Sequence, residues 1–194
     1  MNTRPDACTV AVANVRHGIN ADRRFPKNVF AGDWNDFLFF DSDWMFDVEF
    51  VEHVKAFLNA EDGTCACLKN LDSAATGEGA EDSFLVDRQT TRGDYQSLLS
   101  GESPGTGWVF DFGRFGCASD KGLWCMYCER ANEIAVIAFR HSSVVERYAL
   151  PTAQFRAVRL TEAVAEPLSY GFSERALSVA WRNELLREYA SGPL

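Results

Sequence analysis

Residues 108–139 read WVFDFGRFGCASDKGLWCMYCERANEIAVIAF, three β-prone runs separated by turn-forming residues. Trp108–Phe112, Leu123–Glu129 and Ile134–Phe139 are rich in aromatic and β-branched side chains, which fit a pleated, half-buried surface. The glycine-rich stretch Gly113–Gly122 and the Arg130-Ala131-Asn132 turn join them, so the pattern predicts an antiparallel meander. In the last run Ile134, Val136 and Ala138 alternate with Ala135, Ile137 and Phe139. Both faces are apolar, which marks an internal strand covered on each side.

Two amphipathic helices are candidates for that cover. The first spans about 48–59, where Phe50, Val51, Val54, Phe57 and Leu58 recur at helical spacing and Glu49, Glu52, Lys55 and Asn59 take the other side. Asp47 is placed to cap it, and Glu61-Asp62-Gly63 to stop it. The second spans about 174–189, capped by Ser173, with Leu177, Ala180, Trp181 and Leu185 on one face.

Between them, Phe37–Phe40 is an apolar run too short for periodicity to assign to strand or helix. Thr64–Leu68 reads as a strand with Cys65 and Cys67 on one face and Ala66 and Leu68 on the other. Phe84–Val86 reads as a further strand, and Thr91 with Asp94 as a capping box opening a helix to Leu99. Val144–Tyr148 is expected as a helical turn, Phe155–Leu160 as a strand and Thr161–Ala165 as a short helix. Residues 1–27 are expected to form a basic arm with at most one strand, Thr9–Val15, and 72–82 (DSAATGEGAED) a mobile loop. The fold class is therefore α+β: one domain over 1–194, with a mostly antiparallel sheet packed by helices.

Composition supports a folded domain. The chain has 194 residues, 46% of them hydrophobic, with fifteen Phe and five Trp. A chain of this length buries about 70% of its unfolded surface. No apolar run approaches the roughly 20 residues of a membrane-spanning helix, and no secretory signal is evident. Six cysteines without such a signal point to reduced thiols in a cytoplasm.

Charge is unevenly placed. The net charge is −9, yet residues 32–83 alone hold thirteen acidic side chains against Lys55 and Lys69. A field of one sign speeds association with oppositely charged molecules and repels nucleic acid and anionic membrane. Within that block, Trp34, Phe37, Phe39, Phe40, Trp44 and Phe46 are interleaved with Asp33, Asp36, Asp41, Asp43 and Asp47. Aromatics left exposed beside carboxylates make interface anchors, with the acids steering a basic partner toward them.

Catalytic and metal motifs are weaker. Cys125 and Cys128 form C-x-x-C, and with Cys65 and Cys67 would supply four thiolates for zinc. On a strand, however, Cys125 and Cys128 point to opposite faces, so no metal is expected. A redox C-x-x-C needs a helix N-terminus that is not expected there. Cys117, beside Arg114 and Lys121, is a candidate nucleophile with His17, His53 or His141 as its base. Asp41 and Asp43 are a candidate carboxylate pair. The aspartates lack a calcium-loop register, the glycines at 101, 105 and 107 make no phosphate loop, and Gly-x-Ser-x-Gly is absent.

The sequence therefore points to a non-catalytic acidic binding domain without a cofactor. Its expected partner is a basic protein, as for an inhibitor or immunity protein neutralising a toxin or enzyme. The binding residues are expected to be Asp33, Trp34, Asp36, Asp41, Asp43, Trp44 and Asp47. The alternative is an enzyme using Cys117 or the Asp41 and Asp43 pair.

Overall fold

The computed structural model describes residues 6–72, 83–103, 105–111, 113–165 and 178–189. Among these residues six strands form one antiparallel sheet in the order β1-β6-β5-β4-β2-β3. They are β1 (Asp36–Asp41), β2 (Ala66–Asn70), β3 (Ser83–Val86), β4 (Arg114–Ser119), β5 (Trp124–Glu129) and β6 (Ile134–Phe139). Helices cover both faces, which makes three layers and confirms the α+β class.

The two-faced reading of β6 holds. Ala135, Ile137 and Phe139 join one core, Ile134, Val136 and Ala138 the other, and all six are fully buried. The first core is closed by α2 (Phe50–Glu61), α3 (Arg92–Ser100) and Phe155, beyond the end of α6 (Ala149–Gln154). In α2 the five apolar residues at helical spacing are all buried, and the helix ends where Asp62 turns left-handed at φ 53° and the Gly63 N–H reaches Leu58 O. Its N-cap is Glu49 instead of Asp47. Asp47 lies two residues earlier, its carboxylate accepting the Glu49 N–H at 2.8 Å. The capping box at Thr91 and Asp94 forms as expected.

The second core is closed by α1 (Ala7–Gly18), the segment 19–30, α7 (Leu160–Ala165) and α8 (Val179–Tyr189). The expected arm with a Thr9–Val15 strand is a packed helix, started by Asp6, whose carboxylate accepts the Thr9 N–H at 2.9 Å. Ala11, Val15 and Gly18 are its buried stripe. Thr-Val-Ala-Val is β-prone locally, but a cap and a buried face outweigh that propensity.

The meander also differs from the one expected. Its first strand is not Trp108–Phe112 but Arg114–Ser119, inside the glycine-rich stretch read as a turn. Trp108–Asp111 is a single helical turn, α4, and Phe112 lies outside the described residues. Gly116 is the reason a glycine occurs mid-strand. A Cβ there would sit 2.4 Å from Ile19 Cδ1 and 2.9 Å from Val15 Cγ1, so the missing side chain lets α1 approach the sheet.

Three smaller differences follow from packing. Phe155–Leu160 contributes only a bridge between Val158 and Phe39, since Leu160 already begins α7. In α8 the buried residues are Leu185 and Tyr189, whereas Ala180 is exposed. Tyr189 earns its place by accepting the Val29 N–H at 2.9 Å and donating to Lys27 O at 3.0 Å. Ser173, Leu177 and residues 73–82 of the expected mobile loop lie outside the described residues, while Asp72 is ion-paired. Finally, Cys8 and Cys65 are joined by a disulfide, where reduced thiols were expected.

One buried carboxylate lies in the first core. Glu61, 7% exposed, accepts from Trp124 Nε1 at 3.0 Å and from the Tyr148 hydroxyl at 2.7 Å. Burial raises its pKa above the ordinary 4.5, against the lowering effect of its hydrogen bonds to Ser119, Tyr148 and Trp124. A raised folded-state pKa means that Glu61 contributes most below about 4.5 and that the contribution is lost as pH rises through the folded value. Glu61→Gln removes the charge, so its stability relative to the parent is expected to improve from pH 4 to pH 7 in urea unfolding. An unchanged or opposite trend would remove Glu61 as the source. Gly116→Ala is expected to cost about 1–3 kcal/mol by overpacking. That cost should shrink in an Ile19→Ala background, as read from a double-mutant cycle of denaturant midpoints.

Candidate functional site

Strand β1 is buried along Phe37–Phe40 and carries an aspartate at each end. Those ends lie roughly 17 Å apart at the usual rise of a strand. The expected single acidic and aromatic face is therefore two separate places.

At the first end, Asp36 is 4% exposed and ion-paired with Arg159. It is a buried anchor, and its Oδ2 has no hydrogen-bond partner among the described residues. Trp34 is half-buried, its Nε1 donating to Ala31 O at 2.8 Å, with the Arg140 guanidinium 4.4 Å from its ring centre. Asp33 is exposed beside it. A cation already stacked on Trp34 takes up the ring face that a basic partner would use.

The other end forms a corner. Asp41 closes β1 and caps a 3-10 helix, Ser42–Phe46, its Oδ1 accepting the Asp43 N–H at 2.9 Å. Asp47 ends that helix and leads into α2. Trp44 is held between them, half-buried, with its ring 5.9 Å from that of His53 in an edge-on contact. Met45 and Phe46, its neighbours, pack into the first core, and the Tyr95 hydroxyl donates to Met45 O. Asp41, Asp43, Trp44, Asp47 and Arg156 line a cleft of about 310 Å³.

Electrostatics sharpen the corner. Of the thirteen acidic residues, Asp36, Glu49, Glu52 and Asp72 are paired with Arg159, Arg92, Lys55 and the pair Arg24 and Arg114. Asp33, Asp41, Asp43, Asp47 and Asp62 make no ion pair among the described residues. Burial raises the Asp41 pKa, and the charges of Asp43 and Glu133 push the same way, against the Asp43 N–H bond. His53, hydrogen-bonded through Nδ1 to Gln154 Oε1 at 3.1 Å, has its pKa lowered by burial despite nearby Glu49, Asp47 and Glu52.

Three members of this site escaped the sequence reading. Glu133 reaches Asp41 through the β1 and β6 register, in which Asp41 faces Ile134. The Arg130-Ala131-Asn132 turn before β6 was the available signal. Arg156 comes from the turn that follows α6, and His53, considered from sequence only as a base for Cys117, comes from α2; no local motif places either here.

The alternative chemistry fares less well. Cys117 is in β4, fully buried, and burial drives its thiol well above the ordinary value, reinforced by Cys67 and Cys125. Arg114, three residues earlier, points to the opposite face and is engaged by Asp72 at 2.7 Å. Full burial disfavours the thiolate that a nucleophile needs. For zinc, Cys65 is bonded to Cys8, and Cys125 and Cys128 lie in opposite cores. No group of three or more metal-ligating side chains occurs among the described residues. No described helix is long and apolar enough to cross a membrane.

Comparison with protein-family models, with curated proteins and with solved structures found no match for this chain.

Because the Asp43 charge acts directly on Asp41, Asp43→Asn is expected to lower the Asp41 pKa, and adding Glu133→Gln to lower it further. Carboxyl chemical shifts followed through a pH titration read this directly. An Asp41 pKa that does not move would leave burial as the whole cause.

Proposed function

We propose that the chain is a non-catalytic binding protein whose Asp41 to Asp47 corner engages a basic protein, as an inhibitor or immunity protein neutralising a toxin or enzyme. The observation that carries this reading is Trp44 held on a cleft beside Asp41, Asp43 and Asp47, none of them ion-paired among the described residues. Carboxylates without local partners steer a cationic surface, and a partly exposed indole supplies apolar contact once it arrives. The ring sits on a 3-10 helix fixed at both ends, so little ordering is needed on binding. The same charges disfavour nucleic acid and anionic membrane. The proposed setting is the cytoplasm.

A second reading is supported by the Asp41 pKa, raised within that cleft. It makes Asp41 a general acid beside the Asp43 carboxylate. The two readings diverge on single substitutions: Asp41→Asn abolishes turnover for the enzyme but only slows association for the binder.

The test is capture from native cell extract on the immobilised chain at low salt, followed by elution in a salt gradient. A basic protein released by moderate salt is expected. Its association rate should fall at least about tenfold as screening shortens from about 30 Å at 0.01 M to about 8 Å at 0.15 M. Trp44→Ala should cost about 2 kcal/mol or more of affinity. Binding that ignores salt and survives both Trp44→Ala and combined neutralisation of Asp41, Asp43 and Asp47 would rule this corner out.

A further inference from the structure

The Cys8–Cys65 bond occupies a particular place in the fold. Cys8 is half-buried in the first turn of α1, and Cys65, fully buried, immediately precedes β2. Their Cα atoms are 5.3 Å apart, within the range that a disulfide spans without backbone movement. The bridged residues are 57 apart in sequence, so the bond removes considerable freedom from the unfolded chain.

The tethers of α1 are unevenly distributed. Near its C-terminal end Val15 and Ile19 press on Gly116, Asn14 Nδ2 donates to Ser119 O at 2.8 Å, and Ile19 bridges to Phe30. At the N-terminal end Ala7 and Cys8 pack only partly buried against the second core, and the bonds of Asp6 stay within the helix, its carboxylate accepting from the Thr9 N–H and hydroxyl and its carbonyl from the Val10 N–H. The disulfide is the covalent link between that turn and the sheet. Four other cysteines, Cys67, Cys117, Cys125 and Cys128, are buried outside the bridge, so none is placed to compete with Cys8 from the surface.

In a cytoplasm, protein disulfides are usually transient and tied to redox sensing. We propose that Cys8–Cys65 is a reversible redox latch: formed, it clamps the first turn of α1 onto β2, and reduced, it lets that turn open while the rest of the helix stays docked. The inference rests on the proposed cytoplasmic setting and is independent of the partner-binding corner, which lies at the β1 end of the sheet.

The reductant is a small thiol such as glutathione. One glutathione thiolate attacks Sγ of Cys8, the less buried of the two residues, forming a mixed disulfide and releasing Cys65, which takes up a proton. A second glutathione attacks the mixed disulfide at the glutathione sulfur and releases Cys8, which is protonated in turn. Two glutathiones become one oxidised glutathione, and the two electrons convert one protein disulfide into two thiols.

The full chain is equilibrated in glutathione buffers from oxidised to reduced, denatured, alkylated and weighed. Four alkylated cysteines are expected at the oxidised end and six at the reduced end, with the change between them reversible. Hydrogen exchange on the two native forms should show protection of amides 10–12 falling at least tenfold further than that of amides in β5 and β6. Cys8→Ser should reproduce the reduced pattern without added thiol, its β5 and β6 protection showing that the variant is folded. Six alkylated cysteines throughout would overturn the latch, as would a bond that survives the most reducing buffer. Equal protection of α1 in both forms would overturn it too. None of these failures touches capture of a basic partner, which is measured separately.

Discussion

Strand β6 has no polar side chain from Ile134 to Phe139, and this governs the rest of the structure. A strand with two apolar faces gains from burial only if water is excluded from both sides at once. The chain meets that demand from both ends. Segments before and after the meander fold back over it: α2, α3 and Phe155 on one side, and α1, segment 19–30, α7 and α8 on the other. Neither cover is a sequence neighbour of β6, so the fold depends on contacts between distant parts of the chain.

Closing both faces also traps polar groups, and their bonding shows how the layers are keyed together. Glu129, at the end of β5, accepts the Phe25 N–H at 3.1 Å and the Tyr127 hydroxyl at 2.9 Å. Arg114 beside it in the register binds Asp72 and Ala21 O. These groups hold the 19–30 segment against the second face where apolar contact alone would leave its direction open. Leaving one of these buried polar groups without its partner costs about 1–3 kcal/mol, the penalty of desolvating it unpaired. Glu61 plays the corresponding part on the first face, tying the end of α2 to Trp124 and Tyr148.

Which elements were legible follows from whether their signal was local. The alternation in β6, the opposite facing of Cys65 and Ala66, the α2 stripe and the Thr91 capping box are each contained within a few residues, and all formed as read. Strand β4 was hidden because Gly116 looks like a turn residue until α1 is known to lie against it. Helix α1 was hidden for the matching reason: its Thr-Val-Ala-Val stretch is β-prone, and the helix is held by packing on Gly116 that sequence periodicity does not record. Each misreading conceals the partner that would have corrected the other. The Cys8–Cys65 bond belongs to the same pair of surfaces and was illegible with them.

The acidic block shows the same limit for function. Counting charges along the chain treats thirteen carboxylates as one field, but folding neutralises four of the described ones with arginine or lysine and buries Glu61. What is left at the surface is local. Screened charges act over about a Debye length, so Asp33 at one end of β1 contributes little to a ligand at the other. Asp41, Asp43 and Asp47 act together because a five-residue 3-10 helix brings them around Trp44. Backbone hydrogen bonds from Asp43 and Glu49 fix two of those carboxylates in place while leaving lone pairs for a cation. Geometry, more than net charge, makes this corner a better candidate for recognition than the rest of the block.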